Sequence, residues 1–573
     1  MPPVTLLQLN LYIQNLTMTI IQSIGCWLQS PPTPKVVPPP LRIGIYALIV
    51  VLALGLRIHL ATIAHPAQMD STHMIHQGIL WAQGEPGALS TIWQEAPVLT
   101  AGMAYRLGYN PAKALQWSTV LYGTILVGMT MLLTRRLFDS DAAAWISGGW
   151  AACNPALLNY SVNSMPEIGF AACMLSAYVV LAPSIRGKSL KLIPLLAGYA
   201  LLGLGMYFKP LDSLTAMALT TGWLLLVHLK RPLITVAHLS AGFIIYLTLV
   251  APHYVLQNHG HNPGDIQLAN RSSGLVKGLR AYDSSFENAP DDSRFAKEMD
   301  EFRQLGTLKW LWRHRQEVSL RFPVNVIRSI RIYGHFLFPN AFRIGNAWWV
   351  FMLTAVLTIR LASHHWRPCL WLFLAAMAFP LGVSLSYVYD RWLIIYIPLL
   401  FILIAGHLVA SPSLWGGRWK IGAWTLFLLT MMGNSTALSF QNHLDNVWRK
   451  ENQQTIALWL KNTANHGERY MSLGPAISLE IDLEHPRRWV RLPNAPLDHV
   501  DRICENQQVT YVVVCDSSYP HWPANQLIQG NPAPSNWALV NENTFEQLHP
   551  IWGKQEETYH IYKRSPSAAE NHP

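Results

Sequence analysis

Charge is scarce in this 573-residue chain: Asp, Glu, Lys and Arg make up 13% of it, while Ala, Val, Ile, Leu, Met, Phe, Trp, Tyr and Cys make up 51%. With a mean hydropathy of +0.19 the chain is too apolar to be disordered, and too apolar for a water-soluble multidomain protein. Cysteine is scarce too, six residues in all, which excludes a disulfide-built scaffold, and the six show no metal-ligand spacing. Composition also excludes a collagenous fibre. The first 40 residues lack the positively charged start of a secretory signal. Six prolines between Pro31 and Pro40 form a stiff tether there, after an apolar stretch, Leu6–Leu28, that reads as an interfacial helix or a mis-assigned start.

What the chain does have is an excess of basic residues, 42 Lys and Arg against 32 Asp and Glu. From Gln441 onward the balance is 11 against 15, so the excess, 31 against 17, belongs to the apolar part. That basicity suits membrane loops rather than a nucleic-acid surface. Runs free of Asp, Glu, Lys and Arg extend over Ala114–Thr134, Ala142–Pro166, Ile168–Ile185, Leu192–Phe208, Ser213–Leu229, Pro232–Gly264, Ile344–Ile359, Pro368–Tyr389, Trp392–Gly417 and Ile421–Leu444. A bilayer core needs about 20 apolar residues per helix. With Ile43–Ile63, broken only by Arg57, these runs predict an all-α polytopic membrane protein of about eleven transmembrane helices.

Basic residues recur in alternate connections: Arg135 and Arg136; Arg186, Lys188 and Lys191; Lys230 and Arg231; Arg360 and Arg367; Arg418 and Lys420. The short opposite connections hold only Lys209 and Arg391. Basic loops stay cytoplasmic, which predicts an N-terminus inside, a C-terminal domain outside, and two long outer loops at 65–113 and 257–343. The domain organisation expected is therefore an N-terminal segment and tether over 1–40, a transmembrane domain over 41–440 and an extracytoplasmic domain over 441–573. In that last part a helix over Asn452–Leu460, strands at Arg469–Leu473, Thr510–Cys515 and Thr558–Lys563, and an amphipathic Leu497–Glu505 predict a small α/β domain. It has no Gly-rich phosphate loop, and a structural or docking cap is the reading favoured for it. Cys504 and Cys515 both lie outside, where a disulfide persists if geometry allows one.

Ionisable residues within or at the ends of membrane helices are costly, about 2.5–3.5 kcal/mol at a helix centre, so they mark candidate sites. That criterion selects Arg57, Asp70, Glu167, Lys209, Asp212, Asp390 and Arg391, all on the predicted outer face. Acids and bases along one membrane surface suit a reaction on a lipid-linked anion; the alternative is that they snorkel to headgroups or pair with one another.

The same residues carry a resemblance. Arg57, Asp70-Ser71-Thr72 and Gly78-Ile79-Leu80-Trp81-Ala82-Gln83-Gly84 resemble the opening of the membrane glycosyltransferases of the C superfamily (GT-C). The protein O-mannosyltransferase-like and aminoarabinose transferase-like branches are the most similar. The likeness continues through Arg135-Arg136-Leu137-Phe138, Asn154-Pro155, Tyr160-Ser161, Met165-Pro166-Glu167, Leu202 to Pro210 and Arg391-Trp392-Leu393, and spans most of 41–573. One departure is Asp70-Ser71, where the family commonly has Asp-Glu.

The resemblance implies a bacterial inner-membrane enzyme that moves a sugar from a polyprenyl-phosphate donor to a glycan, lipid or protein acceptor at the outer face. Such a reaction needs a carboxylate to deprotonate the acceptor and cations for the departing phosphate. Asp70 is the candidate base, and Lys209 and Arg391 are the candidate phosphate binders. Glu167 orients Lys209 or the acceptor, or only caps its helix. Arg57 is a further phosphate candidate, with pairing to Asp70 or to headgroups as the alternative.

Glu85 and Glu95 are candidate second acids, and Asp390 is expected to pair with Arg391 or cap its helix. No cofactor is identified: Asp70, His73 and His76 are spaced by three, which does not support a metal site. Lys309 to Arg313, with Arg315, Arg321, Arg328 and Arg331, read as a basic, aromatic surface on anionic headgroups, or as a guide for the polyprenyl phosphate. The competing functions are a polytopic transporter and a non-catalytic partner of the same fold.

The alternating loops make a direct prediction. Reporter fusions after Ser184 and after His443 will report opposite sides of the membrane; same-side reporters would contradict the predicted topology.

Overall fold

The computed structural model describes, single positions aside, residues 39–63, 69–85, 94–258, 292–337, 366–383, 390–410, 451–472, 488–492, 497–515, 527–549 and 553–565. The expected N-terminal helix and the tether up to Pro38 lie outside these residues, while Pro39 and Pro40 open the first helix described. The runs Ile344–Ile359 and Ile421–Leu444, Gly433 apart, also lie outside them.

The chain is helical from α1 (Pro39–Ile63) through α2 (Met69–Ala82), α3 (Glu95–Arg106), α4 (Pro111–Phe138), α5 (Asp141–Cys153), α6 (Pro155–Val162), α7 (Pro166–Ile185), α8 (Leu192–Gly205), α9 (Pro210–Val227) and α10 (Pro232–Asn258). It continues with α11 (Asp292–Arg313, kinked at Gly306), α12 (Arg315–Leu337), α13 (Trp366–Val383), the short α14 (Asp390–Leu393), a 3₁₀ turn Ile394–Tyr396 and α15 (Ile397–Ala410). By length and composition α1, α4, α7, α9 and most of α10 can cross a bilayer; α8, α13 and α14–α15 are apolar but shorter.

Helix starts are written in the sequence. Proline occupies the first turn of α4, α6, α7 and α9, where its missing N–H costs nothing. Asn110 caps α4 through the Lys113 amide at 3.0 Å. α7 is buried on nearly every side and forms the centre of the bundle, packed against α4 and α8. A helix apolar all round suits that position.

One expected span is corrected. The run Ala142–Pro166 is not a single helix but α5, α6 and the start of α7. Asn154 leaves helical geometry at φ −64°, ψ 124°, and its side chain accepts from the Leu157 amide at 3.1 Å, capping α6 behind Pro155. Its amide also donates to the Phe336 carbonyl at 2.8 Å, which ties the break to α12. The eight-residue α6 rises only about 12 Å, too little to cross a membrane.

After a helix over 451–463, the C-terminal part forms a five-stranded sheet. Its strands are β1 (Arg469–Ser472), β2 (Trp489–Arg491), β3 (Val509–Cys515), β4 (Trp537–His549) and β5 (Gly553–Arg564), in the order β2-β1-β3-β5-β4. β2 and β3 run parallel to β1, and β5 runs antiparallel to both β3 and β4. The helix α16 (Leu497–Asn506) leads into β3. The expected strands are present; β2 and β4 are additions. Cys504 and Cys515 are free thiols in different cores, Cys504 with Met471 and Val512 and Cys515 with Tyr511 and Val513, so the disulfide does not form.

An ionic clasp closes this sheet. Asp501 of α16 accepts from the indole of Trp537 at 2.7 Å, from Arg564 Nε at 2.8 Å and from Asn536 at 3.1 Å. Burial pushes the Asp501 carboxyl up, but these three donors outweigh it and hold it below the usual carboxylate range. A depressed folded pKa stabilises the sheet above the unfolded value of about 3.9, and that contribution is lost as pH falls through the folded value. Asp501→Ala will therefore cost about 1.5–3 kcal/mol near neutral pH, read as faster amide exchange in β4 and β5, and the difference from wild type will shrink in acid. Unchanged exchange at neutral pH would show that the clasp contributes nothing.

Candidate active site

Asp70 lies in the first turn of α2, where the helix dipole favours a carboxylate. Arg391 lies in α14, and its Nη1 donates to Asp70 Oδ2 in an ion pair across 321 residues of chain. The side chains are 19% and 32% exposed, so the pair stands at a boundary rather than in bulk water.

A second pair sits deeper. Lys209 Nζ lies 2.6 Å from Glu167 Oε1, with both residues buried. Lys209 occupies the N-cap position of α9, and Glu167 the first turn of α7 behind Pro166. Their approach depends on Gly169, where a Cβ would run into the ring of Phe208. Glu167 Oε2 has no hydrogen-bond partner among the described residues.

Asp212, in the first turn of α9 and also buried, accepts from the hydroxyl of Tyr396 at 2.8 Å. Tyr396 follows Arg391 through α14 and the 3₁₀ turn, so one short segment touches both Asp70 and the acid beside Lys209. Four of the expected residues, Asp70, Arg391, Glu167 and Lys209, thus form two ion pairs, connected through Tyr396 and Asp212.

Arg57 is elsewhere in the interior. It is fully buried; its Nε donates to Ser161 Oγ at 3.2 Å, and its terminal nitrogens to the carbonyls of Ala53, Ala152 and Ala151 at 3.1–3.4 Å. The expected pairing with Asp70 or with headgroups does not occur among the described residues, because the guanidinium is already satisfied where α1 meets α5 and α6.

Glu95 opens α3 and lies 2.6 Å from His253 Nδ1, with both side chains 1% exposed. Glu85 lies in the turn after α2, its amide bonded to the Leu80 carbonyl. Asp390 is the first residue of α14. Among the described residues no three His, Cys, Asp or Glu side chains gather for a metal. In the basic stretch Trp310 is buried beside Phe302 and His314, whereas Trp312 is exposed beneath the Arg315 guanidinium.

Sequence reasoning missed Tyr396 and His253. His253 lay in a run screened only for Asp, Glu, Lys and Arg, and the cost of burying a titratable ring would have flagged it. A tyrosine in an apolar run carries no comparable signal.

No curated protein sequence matches the chain at a significant level. Residues 97–255, which include Glu167, Lys209 and Asp212, match the family described as dolichyl-phosphate-mannose-protein mannosyltransferase. ArnT from Cupriavidus metallidurans, solved bound to undecaprenyl phosphate, superposes with a TM-score of 0.52 at 15% identity, over 90% of this chain and 98% of that one. The oligosaccharyltransferase of Archaeoglobus fulgidus superposes with a TM-score of 0.51 at 11% identity, over 82% of this chain and 67% of that one. The chain is thus GT-C in fold and, within residues 97–255, similar in sequence to the protein mannosyltransferase branch of that superfamily.

Proposed function

We propose that the protein is a membrane glycosyltransferase that moves a sugar from a polyprenyl-phosphate donor to an acceptor hydroxyl at the outer face of a bacterial inner membrane. The observation that carries this reading is the convergence of Asp70 with Arg391, and of Glu167 with Lys209, from distant parts of a GT-C fold. ArnT, of the same fold, holds undecaprenyl phosphate, which supports a lipid-phosphate donor here.

In this reading the acceptor oxygen attacks the anomeric carbon as the bond from that carbon to the phosphate oxygen breaks. The bonding pair leaves with the polyprenyl phosphate, and the acceptor proton passes to Asp70. Arg391 and Lys209 stabilise the charge that collects on the phosphate, Arg391 through paired N–H donors and Lys209 as a point charge beside the N-terminus of α9. Glu167 orients Lys209, and Tyr396 with Asp212 keeps the α14 segment in register with α9. Donor binding exchanges one anion for another: the phosphate draws Arg391 from Asp70, which frees the carboxylate to take the proton.

Asp70→Asn keeps size and hydrogen bonding but removes the proton acceptor, so transfer will fall by about 10²- to 10⁴-fold while undecaprenyl phosphate still binds. Lys209→Ala and Arg391→Ala will weaken that binding as well. Full transfer by Asp70→Asn would move the base to another acid. A wild-type protein that binds the lipid without turning it over would favour the non-catalytic reading, which the Ser71 departure suggests.

A further inference from the structure

Trp489 of β2 connects the C-terminal sheet to the helix that carries Asp70. Its ring centroid lies 5.1 Å from that of His73 and 5.6 Å from that of His76, tilted against the first and edge-on to the second. The indole N–H donates to Ser472 Oγ of β1 at 3.0 Å, which fixes the ring plane against the neighbouring strand. Trp489 is 7% exposed, and β2, three residues long and at the edge of the sheet, holds it there.

His73 lies one turn after Asp70 and on the same face of α2. His76 is 6% exposed, and burial, aided by the neighbouring His73, holds its imidazole down to about 3, so it packs as a neutral ring.

The two halves of α2 are held differently. The C-terminal half crosses α3 backbone to backbone: a Cβ at Gly78 would lie 2.5 Å from the Val98 carbonyl oxygen, and one at Gly102 would lie 2.5 Å from the Gly78 carbonyl oxygen. That crossing lies about 12 Å along the helix axis from Asp70, and Ser71, Thr72, Met74, Ile75 and His76 between them are buried. Arg391 holds the N-terminal half at Asp70 itself, and Trp489 packs on it at the next turns.

We propose that Trp489 is a positioning residue, through which the C-terminal sheet clamps the N-terminal half of α2 and sets where the Asp70 carboxylate points. The proposal rests on the reading of Asp70 as the base, and it makes the outer domain part of the reaction's geometry rather than a cap. Trp489 reaches the site through Asp70, and the phosphate draws Arg391 away from that carboxylate, so removal of Trp489 acts on proton abstraction and leaves donor binding in place.

The test is Trp489→Ala in the full chain, assayed with the polyprenyl-phosphate sugar that the wild type turns over, with undecaprenyl phosphate as the binding probe. A shift of the base by about 1 Å will lower kcat by about 10- to 100-fold. The donor KM and undecaprenyl phosphate binding will stay within about twofold. Trp489→Phe, which retains a ring, will recover most of the loss. Amides at 70–76 will exchange faster in Trp489→Ala, while β3 and β5 exchange as in wild type. If β3 and β5 loosen, the double variant His73→Ala, His76→Leu removes the same contact from the helix side and must give the same split. Wild-type kcat in either variant, or a loss carried by KM alone, overturns the proposal. Wild-type protein that transfers no sugar would remove the base reading, and α2 exchange would then decide the clamp by itself: unchanged rates in Trp489→Ala would overturn it.

Discussion

An unpaired charge within an apolar helix bundle costs several kcal/mol, and this molecule meets that constraint in three ways. Asp70 and Arg391 neutralise each other at the edge of the bundle, and Glu167 and Lys209 do so deeper in. Arg57 has no acid partner among the described residues and directs its donors to Ser161 and three backbone carbonyls. Much of the local structure serves these solutions. The break at Asn154-Pro155 brings the Ala151 and Ala152 carbonyls to Arg57, and Gly169 admits the Phe208 ring so that Lys209 can reach Glu167.

The two ion pairs also suit a site that receives an anionic ligand. A lone buried cation would be costly before the ligand arrives and tightly held after it; a cation already matched to a carboxylate exchanges one anionic partner for another. In the proposed reaction that exchange is productive, since the carboxylate released from Arg391 is the group that accepts the proton. The deeper pair differs. Glu167 is buried and keeps one oxygen without a partner among the described residues, so it has little freedom to leave Lys209 and serves to aim it.

The charged residues were legible in the sequence because desolvation makes each of them conspicuous in an apolar chain. The pairing of Glu167 with Lys209 was one of the readings open there; that of Asp70 with Arg391 was not. Nothing in the local sequence around Asp70 indicates that its partner is Arg391 rather than Arg57, since both stand at ends of apolar segments and only the packing of α14 decides. The span expected over Ala142–Pro166 failed because counting charges ignores backbone chemistry: Pro155 and the Asn154 cap end a helix without introducing any charge. In the C-terminal part, β3 was visible as a continuous apolar run, whereas β2 is too short to show a pattern and most of β4 beyond Trp537 lies at an exposed edge. Trp489 and Tyr396 are aromatic residues in a chain with 23 Trp and 21 Tyr, and only the fold singles them out.

The central claim is that these pairs are the resting state of a lipid-phosphate site, and an experimental density map of the full chain with undecaprenyl phosphate tests it most directly. The account predicts a phosphate within hydrogen-bond distance of both Arg391 and Lys209, with the Asp70 carboxylate released from Arg391 and Glu167 still on Lys209. A phosphate bound away from both cations, with Asp70 and Arg391 still joined, would contradict it.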